Sequence, residues 1–440
     1  MTAVRIAPPR WPDQLLDVDA IAASGWRPAP FREFVAKVHQ RCNLSCDYCY
    51  VYTMVDQSWR GRPALMPAEV RTATARRIAE HVGRHELADA LVVLHGGEPL
   101  LAGVDVLTGF VAEIRSAVPA SCRLRVGLQT NGTLIDDAAV TALAAARVTV
   151  SVSLDGGPAA HDRHRRYAGG AGSHARAVRA IEMLAGAGAL GGLLATIDLS
   201  QDPVECYEQL LAHRPPAIDF LFPHATWTNP PAGSGYGRWL CRVFDRWYDA
   251  PVREVRVRLF QSLLNLLLGG EGGNEQIGLS PMRAVIVESD GAIEQTDALK
   301  AAYPGAAATP WNVLTDGFDA ALWHPGFVAR QLGVDALGPD CRACPVQRVC
   351  GGGHYVHRYR EPDGFRNPSV YCGDLRILID HAARRLRADL TGTEHDDPGH
   401  SRRPPADLRP LQRGDGGSHG GRPADQSPAE QADAAAAGGR

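Results

Sequence analysis

The 440-residue chain has 45% hydrophobic and 22% charged residues and a formal net charge of −3. This composition supports a soluble globular core of two or three domains. It excludes the bulk basicity of nucleic-acid binders, and no apolar run is as long as a membrane span. The N-terminus lacks an apolar signal segment, so we expect a cytoplasmic protein without nucleic-acid or membrane partners.

The first half of the chain shows a regular alternation of strand and helix patterns. Residues 1–32 are rich in proline and predict an irregular arm. Apolar runs then predict buried parallel strands at 34–40, 91–96, 124–129, 148–154, 191–197 and 217–222. Helical patterns begin at residue 66 and recur at 104–117, 136–146, 173–188 and 203–213. Six β/α units cannot close an eight-stranded barrel, so we predict an α/β fold with a partial (β/α)6 TIM-like barrel.

The alternation stops after residue 237, where the second half of the chain begins. Residues 238–280 predict a helical bridge, with helix over 238–268. Residues 284–296 alternate around Asp290-Gly291, which predicts a hairpin, and a further helix is predicted at 374–389. Residues 391–440 hold no aromatic residue and cannot bury enough apolar surface to fold, so they predict a disordered tail.

Seven of the ten cysteines fall into two groups, which favours metal ligation over disulfides. Cys42, Cys46 and Cys49 follow the first predicted strand with the spacing Cys-x3-Cys-x2-Cys. Three thiolates can ligate three irons of a 4Fe–4S cube and leave the fourth iron open. A zinc site completed by His39 is the alternative, although structural zinc needs four ligands. The three scattered cysteines predict small buried side chains.

The tetrad Gly96-Gly97-Glu98-Pro99 ends the second predicted strand, and with the cysteine loop it resembles the radical S-adenosylmethionine (SAM) superfamily. The resemblance implies that the open iron binds SAM and that the reduced cluster cleaves it to a 5′-deoxyadenosyl radical. It also implies cofactor contacts from Tyr48, Gly96, Gly97, Glu98, Pro99, Gln129, Thr130, Asn131, Ser151, Ser153, Asp155 and Arg165. Ordinary small residues at strand ends and surface arginines are the alternatives for the last members of this set.

The second cysteine group resembles the C-terminal SPASM extension of peptide-modifying radical SAM enzymes. That extension normally has seven cysteines and two auxiliary clusters, whereas here Met282, Thr296 and His354 stand at three of the cysteine positions. The resemblance implies one auxiliary 4Fe–4S cluster, with these ligands: Cys341, Cys344, Cys350 and Cys372. A four-cysteine zinc site and a ligand role for His354 stay open. Asp297 matches a general-base aspartate of sulfatase-maturing relatives, with a turn aspartate as the alternative.

The stretch 31–63, together with GGGHYVHRY at 351–359 and FRNPSVYC at 365–372, resembles the FxsB-type, cyclophane-forming radical SAM/SPASM peptide maturases. The resemblance covers roughly residues 31–390. It implies a barrel at 33–237, the bridge at 238–280 and a SPASM-like domain at 281–390.

For function, the resemblance implies removal of a side-chain β-hydrogen from a ribosomally made precursor peptide, followed by a carbon–carbon crosslink to an aromatic residue. The auxiliary cluster would take an electron, Asp297 would take a proton, and a flavodoxin or ferredoxin would supply electrons. A sulfatase-maturation-like enzyme and a thioether-forming enzyme are the enzymatic alternatives. A non-catalytic, metal-stabilised peptide-binding scaffold is the alternative from another class.

Overall fold

One ten-stranded sheet organises the protein, whose structure, a computed structural model, describes residues 10–392. The strand order is β10-β9-β8-β1-β2-β3-β4-β5-β6-β7. The strands are β1 (Glu33–His39), β2 (Asp89–Gly96), β3 (Arg123–Thr130), β4 (Thr149–Ser153), β5 (Leu190–Thr196), β6 (Ala217–Leu221), β7 (Arg256–Val257), β8 (Ala284–Val287), β9 (Ala292–Glu294) and β10 (Ala308–Asn312).

Helices connect the strands and cover the outer face of the sheet. They are α1 (Val18–Ala23), α2 (Ala68–Arg84), α3 (Val104–Ala117), α4 (Asp137–Ala145), α5 (Pro158–His164), α6 (His174–Gly186), α7 (Pro203–Leu211), α8 (Tyr236–Tyr248), α9 (Arg258–Leu267), α10 (Phe318–Ala321), α11 (Pro325–Ala329), α12 (Pro339–Arg342), α13 (Gln347–Cys350) and α14 (Cys372–Thr391). Short 3-10 turns occur at Ser58–Gly61, Pro99–Ala102, Asp297–Ala301, Gly333–Ala336 and Tyr355–Arg358.

The predicted partial barrel is confirmed. Strands β1 to β6 are parallel and neighbour one another in chain order. Their apolar residues form one buried core with the inner faces of the covering helices, for example Ile78 of α2 and Ile114 of α3. Because the strands are parallel, their carboxyl ends meet at one rim, where sites form in such folds.

The second half of the chain joins the same sheet. Strand β8 pairs in parallel with β1, and β9 and β10 continue the sheet as antiparallel strands. The hairpin predicted around Asp290-Gly291 therefore extends the barrel sheet beyond β1. The predicted domain boundaries stay a prediction, but the hairpin brings residues 284–312 next to the first barrel strand.

The continuous helical pattern expected at 238–268 is wrong. Helices α8 and α9 are separated by strand β7, which pairs with β6. Pro251 lies in the break, where it removes a backbone donor and disfavours helical backbone at Ala250. The sequence pattern also missed α1 in the arm and α5 after β4, both under eight residues long.

The C-terminal helix α14 runs to Thr391, slightly beyond the predicted 374–389. The predicted disordered tail lies, from residue 393 onward, outside the described residues. Among the helices of residues 10–392, none combines the length and apolar character needed to cross a bilayer.

Candidate functional site

A cavity of about 200 Å³ lies at the carboxyl ends of β1 to β6. Each barrel strand contributes residues to its wall, as parallel topology requires. The predicted contacts that line it are Cys42, Cys46, Cys49, Tyr48, Gly96, Gly97, Gln129, Thr130, Asn131, Ser153 and Arg165. The structure therefore brings most of the predicted cofactor contacts together in one place.

The three cysteines of the first group enter this cavity from the loop after β1. Burial raises the pKa of Cys42 to about 11 and that of Cys46 to about 12, because a thiolate loses hydration there. The charge of Cys49 raises both values further, which places the three sulfurs near one another. A bound cation offsets this cost, so the loop suits a metal cluster.

The glycine pair after β2 is required by close backbone approach. A Cβ at Gly96 would lie 2.2 Å from the carbonyl oxygen of His39, and one at Gly97 would lie 1.9 Å from the Tyr52 hydroxyl. The amide of Gly97 donates to the His39 carbonyl at 2.8 Å, and that of Glu98 donates to the Arg41 carbonyl at 2.9 Å. The tetrad thus fixes the start of the cysteine loop.

Glu98 and Pro99 do not line the cavity, and their predicted contacts with SAM stay a prediction. The Glu98 carboxylate accepts hydrogen bonds from Thr130 Oγ1 at 2.8 Å and from the amides of Asn131 at 2.9 Å and Leu100 at 3.1 Å. Burial raises its pKa to about 7 despite these donors. Glu98 therefore holds the tetrad against the end of β3.

Tyr48, Asp155 and Arg165 form one polar cluster at the opposite side of the cavity. Arg165 Nε donates to Asp155 Oδ2 at 2.8 Å, and the Tyr48 hydroxyl donates to the same carboxylate. The guanidinium lies 5.4 Å from the centre of the Tyr48 ring, close enough for a cation–π contact. Asp155 is fully buried and absent from the wall, so it positions the other two.

Ser153 lines the cavity and accepts a hydrogen bond from Gln129 Nε2 at 3.1 Å, whereas Ser151 does not line it. The sequence interpretation missed five polar wall residues. Two of them are Tyr52 and Thr196, and the other three are Tyr50, His95 and His224. The available signal was their placement: His95 and His224 lie at the carboxyl ends of β2 and β6, where sites form.

Asp297 lies directly behind these three residues, at the start of a 3-10 turn after β9. Its charge raises the pKa of Tyr50 and opposes the burial that lowers the pKa of His95 to about 4. Lys37 Nζ donates to Asp297 Oδ2 at 2.5 Å, and Lys300 Nζ lies 3.3 Å from Asp297 Oδ1. Burial alone would raise the pKa of Asp297, but the two lysines hold it below its usual range, so the carboxylate is ionised.

The second cysteine group also comes together, from α12, the turn after it, α13 and the first residue of α14. Burial is the largest cause of the raised pKa of Cys341, and the charges of Cys372 and Cys344 raise it further. Cys372 also raises the pKa of Cys350. Four thiols from separate segments therefore face one another.

Both cysteine groups supply thiolates for soft metals. Within residues 10–392 no three cysteine sulfurs lie within 4.8 Å of one another. Four thiolates can ligate one zinc ion or a 4Fe–4S cluster, so a zinc site at the second group stays an alternative.

Met282, Thr296 and His354, which stand where related extensions have cysteines, all contact Arg330 or Glu275, which form an ion pair. Arg330 Nη2 lies 2.8 Å from Glu275 Oε2, and Arg330 Nη1 donates to Thr296 Oγ1 at 2.8 Å. His354 Nε2 lies 3.6 Å from the same glutamate, and the Met282 amide donates to the Arg330 carbonyl. An ion pair thus occupies this region, which agrees with a single auxiliary cluster.

Comparison with known proteins finds relatives of this chain. Residues 37–198 match the profile of the Radical SAM superfamily. The cysteine-type anaerobic sulfatase-maturating enzyme of Clostridium perfringens is 22% identical over 368 residues, covering 81% of this chain and 97% of that protein. The serine-type anaerobic sulfatase-maturating enzyme of Klebsiella aerogenes is 25% identical over 389 residues, covering 84% and 91%.

Solved structures share the fold. Native anSMEcpe with bound AdoMet aligns with a TM-score of 0.72 at 21% identity, over 82% of this chain and 100% of that chain. Streptococcus suis SuiB bound to precursor peptide SuiA aligns with a TM-score of 0.55 at 14% identity, over 79% and 77%.

Fold, cysteine loop and the profile match over residues 37–198 together indicate a radical SAM enzyme. Its cofactors are SAM and a 4Fe–4S cluster, and the first and second cysteine groups stay the predicted ligands of this cluster and of an auxiliary one. The prediction of an enzyme is confirmed, and the non-catalytic scaffold alternative is not supported.

Proposed function

We propose that this enzyme oxidises a side chain in a ribosomally made precursor peptide by removing a hydrogen atom from the β-carbon. The carbon then bonds to the ring of a nearby aromatic residue and gives a cyclophane crosslink. A peptide substrate is supported by relatives named as sulfatase-maturating enzymes and by the alignment with SuiB, which was solved with a precursor peptide. The crosslink is supported by the resemblance of residues 31–63 to FxsB-type maturases.

The chain's own residues hold and enclose the reacting groups. Cys42, Cys46 and Cys49 would hold the 4Fe–4S cluster, with Tyr48 and Arg165 at the side of the cavity that would take SAM. When bound, these cofactors supply the removal of a hydrogen atom from an unactivated carbon. Apolar wall residues on β5, on β6 and directly after β6 would keep water from that carbon; they are Leu194, Leu221 and Phe222.

The observation that carries the proposal is the buried Asp297 carboxylate behind the cavity wall, paired with Lys37 and Lys300. Crosslinking removes two hydrogens in total: one atom from the β-carbon, and then one proton and one electron from the aromatic ring. The electron leaves to a one-electron acceptor, and Asp297 takes the proton. Its carboxylate is buried, and its charge acts on Tyr50, His95 and His224 of the cavity wall, so we assign it the role of general base.

Aldehyde formation on a cysteine or serine is the second candidate function. Similarity to sulfatase-maturating enzymes over four-fifths of the chain favours it. It needs the same first step and the same proton acceptor, but no aromatic partner. The two functions therefore differ in the product and not in the site.

Mass spectrometry of a peptide incubated with the loaded enzyme separates the two. The precursor peptide encoded beside the gene is the first probe, and a cysteine-containing peptide is the second. A crosslink gives a loss of two hydrogens, no backbone fragments between the joined residues and no reaction with a hydrazide. A hydrazide-reactive product supports the aldehyde instead. Consumption of SAM without change in either peptide contradicts the proposal.

Asp297→Asn tests the carboxylate. We expect product formation to fall by about 10²–10⁴, the range for a positioned general base, while 5′-deoxyadenosine still forms. Asp335→Asn is the matched control, because Asp335 is exposed. Unchanged crosslinking by Asp297→Asn contradicts the assigned role.

A further inference from the structure

Six buried ionic side chains form a cluster behind the cavity, which we call the buried charge cluster. It has three acids and three bases, so its charges balance. Each side chain is at most 10% exposed. The members are Lys37, Arg62, Glu288, Glu294, Asp297 and Lys300.

Lys300 lies at the centre of this cluster, between two carboxylates that are each missing a hydrogen bond. Its ammonium donates to Glu288 Oε1. It lies 3.3 Å from Asp297 Oδ1 and 3.4 Å from Glu294 Oε2, and neither of these buried oxygens has a hydrogen-bond partner. Buried polar atoms without partners are rare, and here two of them lie within 3.4 Å of one ammonium.

The choice of lysine at this place is unusual for this chain. Among its 46 Lys and Arg residues only two are lysine, Lys37 and Lys300, and both contact Asp297. Arginine keeps its protons in proteins, whereas a lysine ammonium can give one up. Arg62 binds Glu294 Oε1 at 2.5 Å and also binds Glu288, so it fixes their positions without joining a transfer.

The two carboxylates on either side of Lys300, Asp297 and Glu294, differ in proton affinity. Asp297 faces Lys37, Lys300 and the neutral His95, and the lysines lower its pKa. Glu294 faces Glu288, Lys300 and Arg62; burial and then the charge of Glu288 raise its pKa to about 7. A proton that arrives at Asp297 is therefore more stable on Glu294.

We propose that Lys300 and Glu294 form a relay that carries the substrate's proton away from Asp297. This step rests on the proposed function, which delivers the proton to Asp297. An N–H bond of the Lys300 ammonium breaks as an O–H bond forms at Glu294 Oε2. The O–H bond at Asp297 then breaks as a new N–H bond forms at the neutral Lys300 amine. No electron moves, Lys300 ends as an ammonium, and Asp297 is ionised for the next substrate.

Two substitutions test the relay in the loaded enzyme. Lys300→Arg keeps the positive charge but cannot release a proton, and Glu294→Gln removes the acceptor. Exposed Glu182→Gln is the matched control. For each variant, peptide product is measured per 5′-deoxyadenosine formed. We expect this ratio to stay at the wild-type level in the control and to fall on the order of a hundredfold in both relay variants.

A second readout needs neither cluster nor SAM. Infrared titration of the unloaded chain should show carboxyl absorption from Glu98 and Glu294 that disappears as pH rises through about 7, and Glu294→Gln should remove the Glu294 share, with Glu98→Gln as the background that isolates it. If Lys300→Arg does not fold, Glu294→Gln alone decides both readouts. Wild-type ratios in the relay variants, or an unchanged band in Glu294→Gln, overturn the relay and leave the proposed function standing. A wild-type enzyme that alters no peptide instead refutes the proposed function.

Discussion

Removal of Lys37 should destabilise the protein strongly, because Lys37 completes the balance of the buried charge cluster. The side chain is fully buried, and its ammonium lies 2.5 Å from Asp297 Oδ2. Lys37→Met leaves two bases against three acids. Loss of one partner of a buried ion pair costs about 3–5 kcal/mol. Lys300 still faces Asp297 at 3.3 Å, so we expect the lower end, about 3 kcal/mol.

The double variant Lys37→Met/Asp297→Asn should recover most of that loss. It restores the balance, with Arg62 and Lys300 against Glu288 and Glu294. We expect it to lie within about 1 kcal/mol of the wild type, since replacement of a whole buried pair is often close to neutral. Denaturant unfolding of the unloaded, reduced chain measures both values. A Lys37→Met protein as stable as the wild type, or a double variant weaker than either single one, would refute the reasoning.

Three further predictions follow from the site. Burial raises the pKa of Glu98 from 4.5 to about 7, so between these pH values the folded state binds a proton that the unfolded state lacks. The free energy of unfolding therefore falls as pH rises from 4.5 to about 7, by roughly 3 kcal/mol for this group. Glu98→Gln should remove that part of the fall, which denaturant unfolding at both pH values measures. Gly97→Ala should lower the free energy of unfolding by about 1–3 kcal/mol or more, because the new Cβ would clash with Tyr52 and Arg41. Gly109→Ala in α3 is the control: its Cβ would enter open space, so stability should stay the same or rise. Thermal unfolding of both variants tests this. Replacement of Cys344 and Cys372 by alanine should lower the iron content from about eight to about four per chain, and unchanged iron would exclude the auxiliary site.

Much of the fold could be predicted from the sequence because parallel strands in β/α units form short, uninterrupted apolar runs. The first cysteine group was predictable because its three ligands lie within one loop. The pairing of β8 with β1 could not be predicted, since these strands are far apart in the chain and share no local sequence signal. The tightest sequence motif, Gly96-Gly97-Glu98-Pro99, was correctly placed, but the support role of Glu98 depends on Thr130 and Asn131 from another strand.

The buried charge cluster also could not be predicted from local sequence patterns. Lys37 belongs to a strand pattern and Glu288 to a hairpin, and only the folded sheet brings them together. Composition did hold a signal, because a chain with so many arginines keeps only two lysines. A residue type that is rare in a chain and sits within an apolar strand therefore merits attention as a candidate functional group.

Anaerobic reconstitution with iron and sulfide, followed by dithionite and SAM, tests the central claim most directly. The account predicts about eight irons per chain for two 4Fe–4S clusters, and 5′-deoxyadenosine from the wild type but not from the Cys42→Ala/Cys46→Ala/Cys49→Ala variant. Zinc in place of iron, or no 5′-deoxyadenosine from the wild type, would contradict it.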